Sequence, residues 1–331
     1  MKQGLLLINL GTPSSTKLRH IWAFLSEFLL DRRVINLPVV LRCLLVYGII
    51  LPFRTGKSAH AYRSIWTEQG SPLLFNNQNL KSQLEKRLPS NCIIALGMRY
   101  GNPSLKQSIN DLQECETLTL LPLYPQYSSA ATGSAIEKAL QCLAPLESLP
   151  SIQVIRAFYQ HPSYIKAQAT VIKMHLKPGS HLLFSYHGIP VQQLIQGGCD
   201  KPCPEICSVP KEKLHSCYKA QCYSTSLLLA QELQLDSDQY STSFQSRLGK
   251  LPWISPYTDQ MLEGLIALGI KDLTVACPSF VSDCLETLEE IGIRARAKWL
   301  SLGGERFTLI PALNDHPLWV EAVLDIAGIA N

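Results

Sequence analysis

Short apolar runs alternate with longer amphipathic stretches along the whole chain, which is the pattern of an α/β protein. Few polar residues interrupt the runs, so we expect strands buried on both faces, in parallel sheets that helices cover. The predicted strands are residues 5–10, 92–96, 118–123, 152–157, 181–186, 273–277 and 307–310. The predicted helices are residues 134–143, 164–175, 222–233, 257–268 and 283–291.

The two halves of the chain repeat one arrangement. An apolar strand leads into Gly11-Thr12-Pro13 in the first half and into Gly188-Ile189-Pro190 in the second. This repeat predicts two similar Rossmann-like, doubly wound domains, at 1–150 and 151–331, that face one another across a cleft. A final helix at 316–329 is expected to pack back on them. Open α/β sheets bind ligands at the carboxyl ends of their strands, so the cleft is the predicted site.

The composition narrows the class of protein. Hydrophobic residues make up 46% and the net charge is only +4, which excludes a disordered chain. Charged residues make up 17%, below the roughly 25% of ordinary soluble domains, so an exposed apolar surface is expected. No run of 18 apolar residues is free of charge, and no signal-peptide cleavage site follows the first strand. We therefore predict a cytoplasmic protein without a nucleic-acid partner.

The positive charge is concentrated at the start of the chain. Residues 1–63 carry nine Lys or Arg against two acidic residues. Within them, residues 39–53 form an apolar segment whose only charge is Arg42. The segment is too short to span a bilayer. It predicts either an apolar lip at the inner face of a membrane, where the protein would bind peripherally, or a buried core helix.

Several common catalytic motifs are absent. No Gly-x-Gly-x-x-Gly follows a strand, and neither His-Glu-x-x-His nor Gly-x-Ser-x-Gly occurs. Gly56-Lys57-Ser58 resembles the end of a phosphate-binding loop, but Leu51 stands where its first glycine is required. Nucleotide chemistry and the common hydrolase mechanisms are therefore not supported.

Two segments carry candidate chemistry. His187 directly follows a strand and precedes Gly188, so its imidazole is placed to accept a proton or to bind a metal. Asp283, Glu286 and Glu290 lie on one face of a predicted helix, where their carboxylates suit a divalent cation. Both segments also have structural interpretations, a hydrogen-bonded loop histidine and a capped helix with a solvated acidic face.

Nearly the whole chain resembles ferrochelatases, the enzymes that insert ferrous iron into a porphyrin. The similar segments share their order and spacing with that family. They are residues 10–13, 28–34, 97–103, 123–128, 185–190, 242–247, 252–253, 256–259 and 280–290.

The resemblance implies a chelatase-like fold and a lyase that converts protoporphyrin IX and Fe²⁺ to protohaem with release of two protons. It assigns His187 and Glu286 to the metal site as catalytic residues. It places six further residues at the porphyrin-lining positions, namely Arg99, Tyr100, Tyr124, Ser128, Trp253 and Asp283. The open alternatives are another divalent metal, coproporphyrin as substrate, or a non-catalytic haem- or metal-binding module.

The sequence departs from the family at two places. Residues 130–133 read Ala-Ala-Thr-Gly, where relatives more often carry extra hydroxyl groups. Cys284 stands where animal relatives carry a histidine beside the aspartate. If that histidine helps protons to leave, another group must do so in this chain.

A cysteine-rich insert at 197–222 sets this chain apart. Five of the eleven cysteines fall within it. Relatives without an insert tend to keep a cysteine at the position of Cys222, which leaves Cys199, Cys203, Cys207 and Cys217. Four thiolates are what a [2Fe–2S] cluster requires, and some microbial ferrochelatases carry one. Structural zinc is the rival occupant, and four free thiols are the third interpretation.

Overall fold

The computed structural model describes residues 2–199, 216–247, 249 and 251–329. Most of the cysteine-rich insert, including Cys203 and Cys207, lies outside these residues.

The first half of the described chain builds one parallel sheet with helices on both sides. Its strands are β1 (Gln3–Thr12), β2 (Cys92–Gly101), β3 (Thr117–Pro122) and β4 (Ser151–Val154). Its α-helices are α1 (Leu18–Leu29), α2 (Val39–Leu45), α3 (Leu51–Ile65), α4 (Pro72–Glu85), α5 (Leu105–Asn110) and α6 (Ser134–Leu143). Two short π-helices precede α3 and α6, namely π1 (Val46–Ile50) and π2 (Ser129–Gly133).

The second half repeats the plan. Its strands are β5 (His181–His187), β6 (Tyr240–Gln245), β7 (Asp272–Ala276) and β8 (Arg306–Leu309). Its α-helices are α7 (Pro162–His175), α8 (Val191–Gln196), α9 (Tyr218–Glu232), α10 (Thr258–Ala267), α11 (Arg296–Ser301) and α12 (Pro317–Ile326). A π-helix, π3 (Glu286–Ala295), joins β7 to α11.

The strand orders confirm the predicted α/β fold with two similar parallel sheets. The first sheet runs β2-β1-β3-β4 and the second runs β6-β5-β7-β8, so each half places equivalent strands in equivalent positions. The central strands β1 and β5 are almost wholly buried, as their apolar runs predict. β4 pairs with β3, so the first sheet continues past residue 150, where the sequence placed the boundary between domains.

The sequence pattern missed β6. Its residues, Tyr-Ser-Thr-Ser-Phe-Gln, lack the apolar run that marks the central strands, and β6 lies at the edge of its sheet. The strand is nevertheless buried because its hydroxyl groups find partners. Ser243 hydrogen-bonds to Thr258 at 2.9 Å, and Thr242 donates to Ser226 at 2.9 Å. Satisfied polar groups can occupy a core that an apolar pattern does not reveal.

The predicted apolar segment 39–53 belongs to a longer helical run from Val39 to Ile65. One face of this run is buried against α1, through side chains such as Val46, Leu51 and Ala59. The opposite face is exposed, so the segment is not a buried core helix. Its large exposed apolar side chains are Val39, Val40, Leu41, Leu44, Tyr47, Ile49 and Phe53.

Val39–Ile65 is also the one helix in the described part of the chain that is long and apolar enough to cross a membrane. This criterion uses length and composition alone, and a core helix of a soluble protein can satisfy it.

The last helix connects the two halves. α12 packs against α7 and also contacts α4, which belongs to the first half. Trp319 of α12 is fully buried and stacks against Phe158 and Tyr164. The main hydrophobic core therefore contains residues from both sheets and from this helix.

Candidate active site

His187 stands at the carboxyl end of β5, the central strand of the second sheet. Its Nδ1 lies 2.6 Å from the carbonyl oxygen of Gly188. A carbonyl oxygen can only accept, so Nδ1 carries the proton and Nε2 keeps a free lone pair. The half-buried ring lies between Trp253 and Phe280, with centroid distances of 6.4 and 6.2 Å. At the position predicted for a base, the neutral imidazole therefore carries its lone pair on Nε2.

The main chain around His187 is fixed from several sides. The His187 N–H donates to Ser279 Oγ at 3.1 Å, and Tyr218 Oη donates to the His187 carbonyl at 2.7 Å. The Gly188 N–H donates to the Gln245 carbonyl at 2.8 Å. A Cβ at position 188 would lie 2.8 Å from that same oxygen, so only glycine allows this approach.

Glu286 begins π3, which follows the carboxyl end of β7 in the same sheet. His187 and Glu286 therefore lie at one edge of the second sheet. π-Helices are rare and are often found at functional sites. Glu290, one turn further, accepts hydrogen bonds from the N–H of Ser246 at 2.8 Å and from its hydroxyl group.

The Asp283 carboxylate is hydrogen-bonded to neighbouring groups of the protein, which indicates a structural role. The buried carboxylate accepts hydrogen bonds from Thr287 at 2.9 Å, from Asn314 at 2.8 Å and from the N–H of Ala312 at 3.3 Å. These contacts hold the segment that leads into π3. The predicted role of Asp283 at the porphyrin surface stays a prediction.

Arg99 and Tyr100 lie at the carboxyl end of β2 and join a buried cluster that the sequence did not reveal. Arg99 Nη2 donates to Asp31 Oδ2 at 2.5 Å, and Arg99 Nε donates to Ser134 Oγ at 2.7 Å. Tyr100 Oη donates to the same Asp31 oxygen at 2.9 Å, and Ser134 Oγ donates to it as well. Asp31 lies in one of the segments that resemble the family, yet spacing alone could not show its partners.

Several effects oppose one another at the Asp31 carboxyl. Burial by itself raises its pKa. Hydrogen bonds from Ser134, the N–H of Arg33 and Tyr100, together with the charge of Arg99, outweigh burial and hold the pKa below its usual value. The Asp31 carboxylate therefore holds Arg99, Tyr100 and Ser134 together at this edge of the first sheet.

Tyr124 and Ser128 follow the carboxyl end of β3. The Tyr124 hydroxyl is buried and has no hydrogen-bond partner among the residues that the structure describes. Such a group is expected to meet a water molecule or a ligand. Ser128 has a local role, because its Oγ accepts from the N–H of Ala131 at 3.1 Å and so caps π2.

The two sheet edges face one another. Leu285, next to Glu286, packs against the apolar cluster that contains Tyr100 of the first sheet. α3 contacts π3 and brings Arg54 close enough for the Glu286 carboxylate to raise the pKa of the guanidinium, against a larger lowering by burial. The predicted site residues therefore fall into two groups, one on each side of the junction between the halves.

Cys284 occupies the position where animal relatives carry histidine. Its side chain is buried, and burial raises the pKa of the thiol well above its usual value. A hydrogen bond to Glu286 and the charge of that carboxylate raise it further. The thiol is protonated at neutral pH and cannot accept a proton there.

Across residues 2–199, 216–247, 249 and 251–329, no three His, Cys, Asp or Glu side chains form a group that could hold a metal ion. Cys199 and Cys217 are half-buried.

Comparison with solved structures defines the class of fold. SirB from Bacillus subtilis with Fe³⁺ matches with a TM-score of 0.56 at 10% identity, covering 99% of this chain and 95% of the other. The sirohydrochlorin chelatase SirB from B. subtilis subspecies spizizenii, in complex with cobalt, matches with a TM-score of 0.55 at 10% identity, covering 99% and 94%. The two-sheet architecture is therefore that of the chelatases.

Sequence comparison narrows this class to one family. The ferrochelatase family model matches residues 2–328. The chain is 58% identical to a ferrochelatase of Legionella pneumophila over 328 residues, which cover 99% of each chain. It is 44% identical to a ferrochelatase of Coxiella burnetii over 333 residues, which cover 98% of this chain and 93% of the relative. The chain belongs to the ferrochelatase family.

The Asp31 cluster makes stability depend on pH in a defined direction. Asp31→Asn should lower the free energy of unfolding by about 3–5 kcal/mol at pH 7, because it leaves the buried Arg99 without its counter-charge. The pKa of Asp31 is lowered in the folded state, so its contribution is complete above about pH 4 and is lost as the pH falls further. Urea unfolding of both proteins at pH 7 and pH 3.5 measures the difference.

The exposed Asp111 provides a matched control, because Asp111→Asn removes the same charge outside the cluster. Equal losses of stability in the two variants would contradict the central role of Asp31.

Proposed function

We propose that this protein inserts Fe²⁺ into protoporphyrin IX, with His187 and Glu286 as its catalytic residues. Ferrous iron is here a substrate, which leaves on the porphyrin nitrogens. The observation that carries the proposal is the pair of potential proton acceptors at one edge of the second sheet, opposite the aromatic and basic residues of the first. Membership of the ferrochelatase family supports the reaction.

His187 is suited to accept a pyrrole proton. Its Nδ1–H is committed to Gly188, so Nε2 is the only basic atom of the ring. Its backbone is held at both the N–H and the carbonyl group, which fixes the direction of that lone pair. A positioned general base contributes roughly 10²–10⁴-fold to a rate.

Glu286 is suited to receive the metal and the second proton. A carboxylate is a ligand for divalent cations, and Arg54 of α3 lies near that of Glu286. The Cys284 thiol is already protonated and cannot accept this proton. The neighbouring Glu286 carboxylate is therefore the acceptor on this side of the site. Metal insertion releases two pyrrole protons, and His187 and Glu286 together can accept both.

The incomplete set of protein ligands favours turnover. A cage of three or four side chains would hold iron against transfer, because a tightly bound ground state raises the barrier to the next step. Two side chains can guide the ion and then release it to four porphyrin nitrogens. A module that merely stores metal would be expected to offer a fuller set of ligands.

Porphyrin binding is assigned to the facing edge of the first sheet and to Trp253. The unpartnered Tyr124 hydroxyl is available to a ligand, and the Trp253 ring lies beside His187. Contacts of this kind supply binding energy that can distort the flat macrocycle toward a metal-accepting shape.

Peripheral membrane contact through the lip, residues 39–53, is part of the proposal. Seven large apolar side chains of this segment are exposed, and none of the residues of α2 is buried. Arg42 and Lys57 lie along this surface and would favour anionic lipid. Such a contact would give an apolar porphyrin a direct route from the bilayer to the site.

We also propose a [2Fe–2S] cluster on Cys199, Cys203, Cys207 and Cys217. Cys203 and Cys207 lie outside the described residues, so their sequence spacing is their only support. Cys199 and Cys217 are half-buried and pack against the same hydrophobic core. Cys222 is fully buried, and burial raises the pKa of its thiol well above the usual value, which disfavours it as a ligand. A bound cluster would supply one-electron redox chemistry.

His187→Ala should abolish metal insertion in a folded protein, because Glu286, the other proposed acceptor, cannot take both pyrrole protons. Single-turnover formation of metalloporphyrin measures the rate, and circular dichroism checks the fold. His181→Ala, at the other end of the same strand, is the structural control and should retain most of the rate. A His187→Ala protein with more than about a tenth of the rate would refute a role as general base.

Glu286→Gln should slow insertion strongly while porphyrin affinity stays nearly unchanged, because the substitution removes a charge and leaves the size of the side chain intact. Fluorescence titration with porphyrin gives the affinity, and single-turnover insertion gives the rate. Glu289→Gln is the matched control, since Glu289 lies in π3 but pairs with Arg294. If porphyrin affinity collapses and the rate on bound porphyrin survives, Glu286 does not handle the metal.

Vesicle sedimentation tests the lip. The protein should sediment with vesicles that contain phosphatidylglycerol, and less with vesicles of phosphatidylcholine alone. The double variant Leu44→Glu and Phe53→Glu should lose this binding, because it places charge on the exposed apolar face. Leu268→Glu changes an equally exposed leucine on α10 and should bind like the parent. If binding depends neither on the charge of the lipid nor on the double variant, residues 39–53 are not a membrane-contact surface.

Anaerobic purification tests the cluster. The protein should be reddish-brown, with about two iron atoms and two sulfides per chain. Cys222→Ser should keep the cluster, and Cys203→Ser should lose it. Colourless protein with stoichiometric zinc would show a structural zinc site instead.

A further inference from the structure

We infer that Gln245 is a positioning residue that ties the His187 turn to the start of the helix that carries Glu286. This inference rests on the proposed function, because it concerns the relative placement of the two proposed catalytic residues. Gln245 does not itself act on the substrate. It is the last residue of β6, the strand that the apolar pattern did not predict.

The main chain of Gln245 holds the histidine side of the site. In the parallel pairing of β5 with β6, Gln245 is the register partner of His187. Its carbonyl oxygen accepts the hydrogen bond from the N–H of Gly188 at 2.8 Å. That bond closes the turn in which the Gly188 carbonyl selects the tautomer of His187.

The side chain of Gln245 holds the glutamate side. Its Nε2 donates to the main-chain carbonyl of Glu286 at 2.9 Å and to Glu290 Oε2 at 3.4 Å. Its Oε1 accepts from Ser185 Oγ at 2.7 Å, and Ser185 lies two residues before His187 in β5. One carboxamide thus connects β5 to π3. Both ends of the amide are occupied, and this arrangement defines its orientation.

Burial makes these contacts specific. Gln245 is 3% exposed, and Ser185 is fully buried. A buried amide without partners would cost about 1–3 kcal/mol, so the hydrogen bonds hold the side chain in a single arrangement. A main-chain carbonyl is a fixed anchor, because it moves only with the helix itself.

Ser246 gives an independent sign that this junction is under constraint. It has a φ of +68°, a left-handed conformation that non-glycine residues adopt infrequently. In this conformation its N–H donates to Glu290 Oε1 at 2.8 Å, and its hydroxyl group donates to the other carboxylate oxygen. Strained residues of this kind persist where their surroundings determine the backbone, and they cluster at functional sites. Gln245 and Ser246 together therefore bind π3 at Glu286 and at Glu290.

The role of this link follows from geometry. A base and a metal ligand that act on one porphyrin must keep a fixed separation, and a misplacement of about 1 Å can cost 10²-fold in rate. His187 is carried by a strand and Glu286 by a π-helix, two elements that no ladder of backbone hydrogen bonds joins. The carboxamide of Gln245 makes that connection.

The test compares Gln245→Met with Ser243→Ala. Gln245→Met keeps the length of the side chain but removes both hydrogen-bonding ends. Ser243→Ala removes a buried hydrogen bond, to Thr258, from the same strand without a contact to π3. Both variants should unfold at lower temperature than the parent. Only Gln245→Met should lower kcat/KM for Fe²⁺, by about 10- to 100-fold, with the KM for porphyrin within about twofold of the parent.

Hydrogen–deuterium exchange supplies a readout that does not need activity. Amides of residues 286–290 should exchange faster in Gln245→Met than in the parent and should stay unchanged in Ser243→Ala.

The outcomes distinguish this inference from the function on which it rests. An insertion rate that survives His187→Ala and Glu286→Gln would overturn the proposed site, and the positioning role with it. If those variants fail but Gln245→Met behaves like Ser243→Ala in kcat/KM or in exchange, the positioning role alone is wrong.

Discussion

The carboxyl ends of parallel strands meet at one edge of a sheet, and this chain contains two such edges that face each other. The rest of the molecule depends on that constraint. β1 and β5 occupy the second position of their sheets, so equivalent loops emerge on the two sides. α12 packs across both halves and adds to the core that they share. The site lies where the loops of both sheets come together.

The two edges use their polar groups differently. In the first half, Asp31 gathers Arg99, Tyr100 and Ser134 into a buried cluster in which their polar groups are largely satisfied by one another. Such a cluster has one strongly preferred arrangement, because removing any member would leave a buried charge or donor without its partner. In the second half, His187 keeps a free lone pair and Glu286 stands at the start of a π-helix. The polar groups of the first edge are therefore paired with one another, whereas His187 and Glu286 are held through their main chains.

The helical run from Val39 to Ile65 extends from the neighbourhood of Glu286 to the surface of the protein. Its inner face packs into the protein, and its outer face presents apolar side chains to the surroundings. The same run carries Arg54 toward Glu286.

The sequence by itself determined the α/β class, the repeat of two halves and the segments that carry His187 and Glu286, because apolar runs and strand-end turns are local features. It did not reveal β6, since hydroxyl-rich residues become core residues only when distant partners such as Thr258 and Ser226 satisfy them. The exposure of segment 39–53 and the role of Asp31 also depended on tertiary contacts, with α1 in one case and with Arg99, Tyr100 and Ser134 in the other. A linear pattern shows which residues are apolar or charged. Only the folded chain decides which of them meet, because hydrogen bonds and burial join residues that are far apart in sequence.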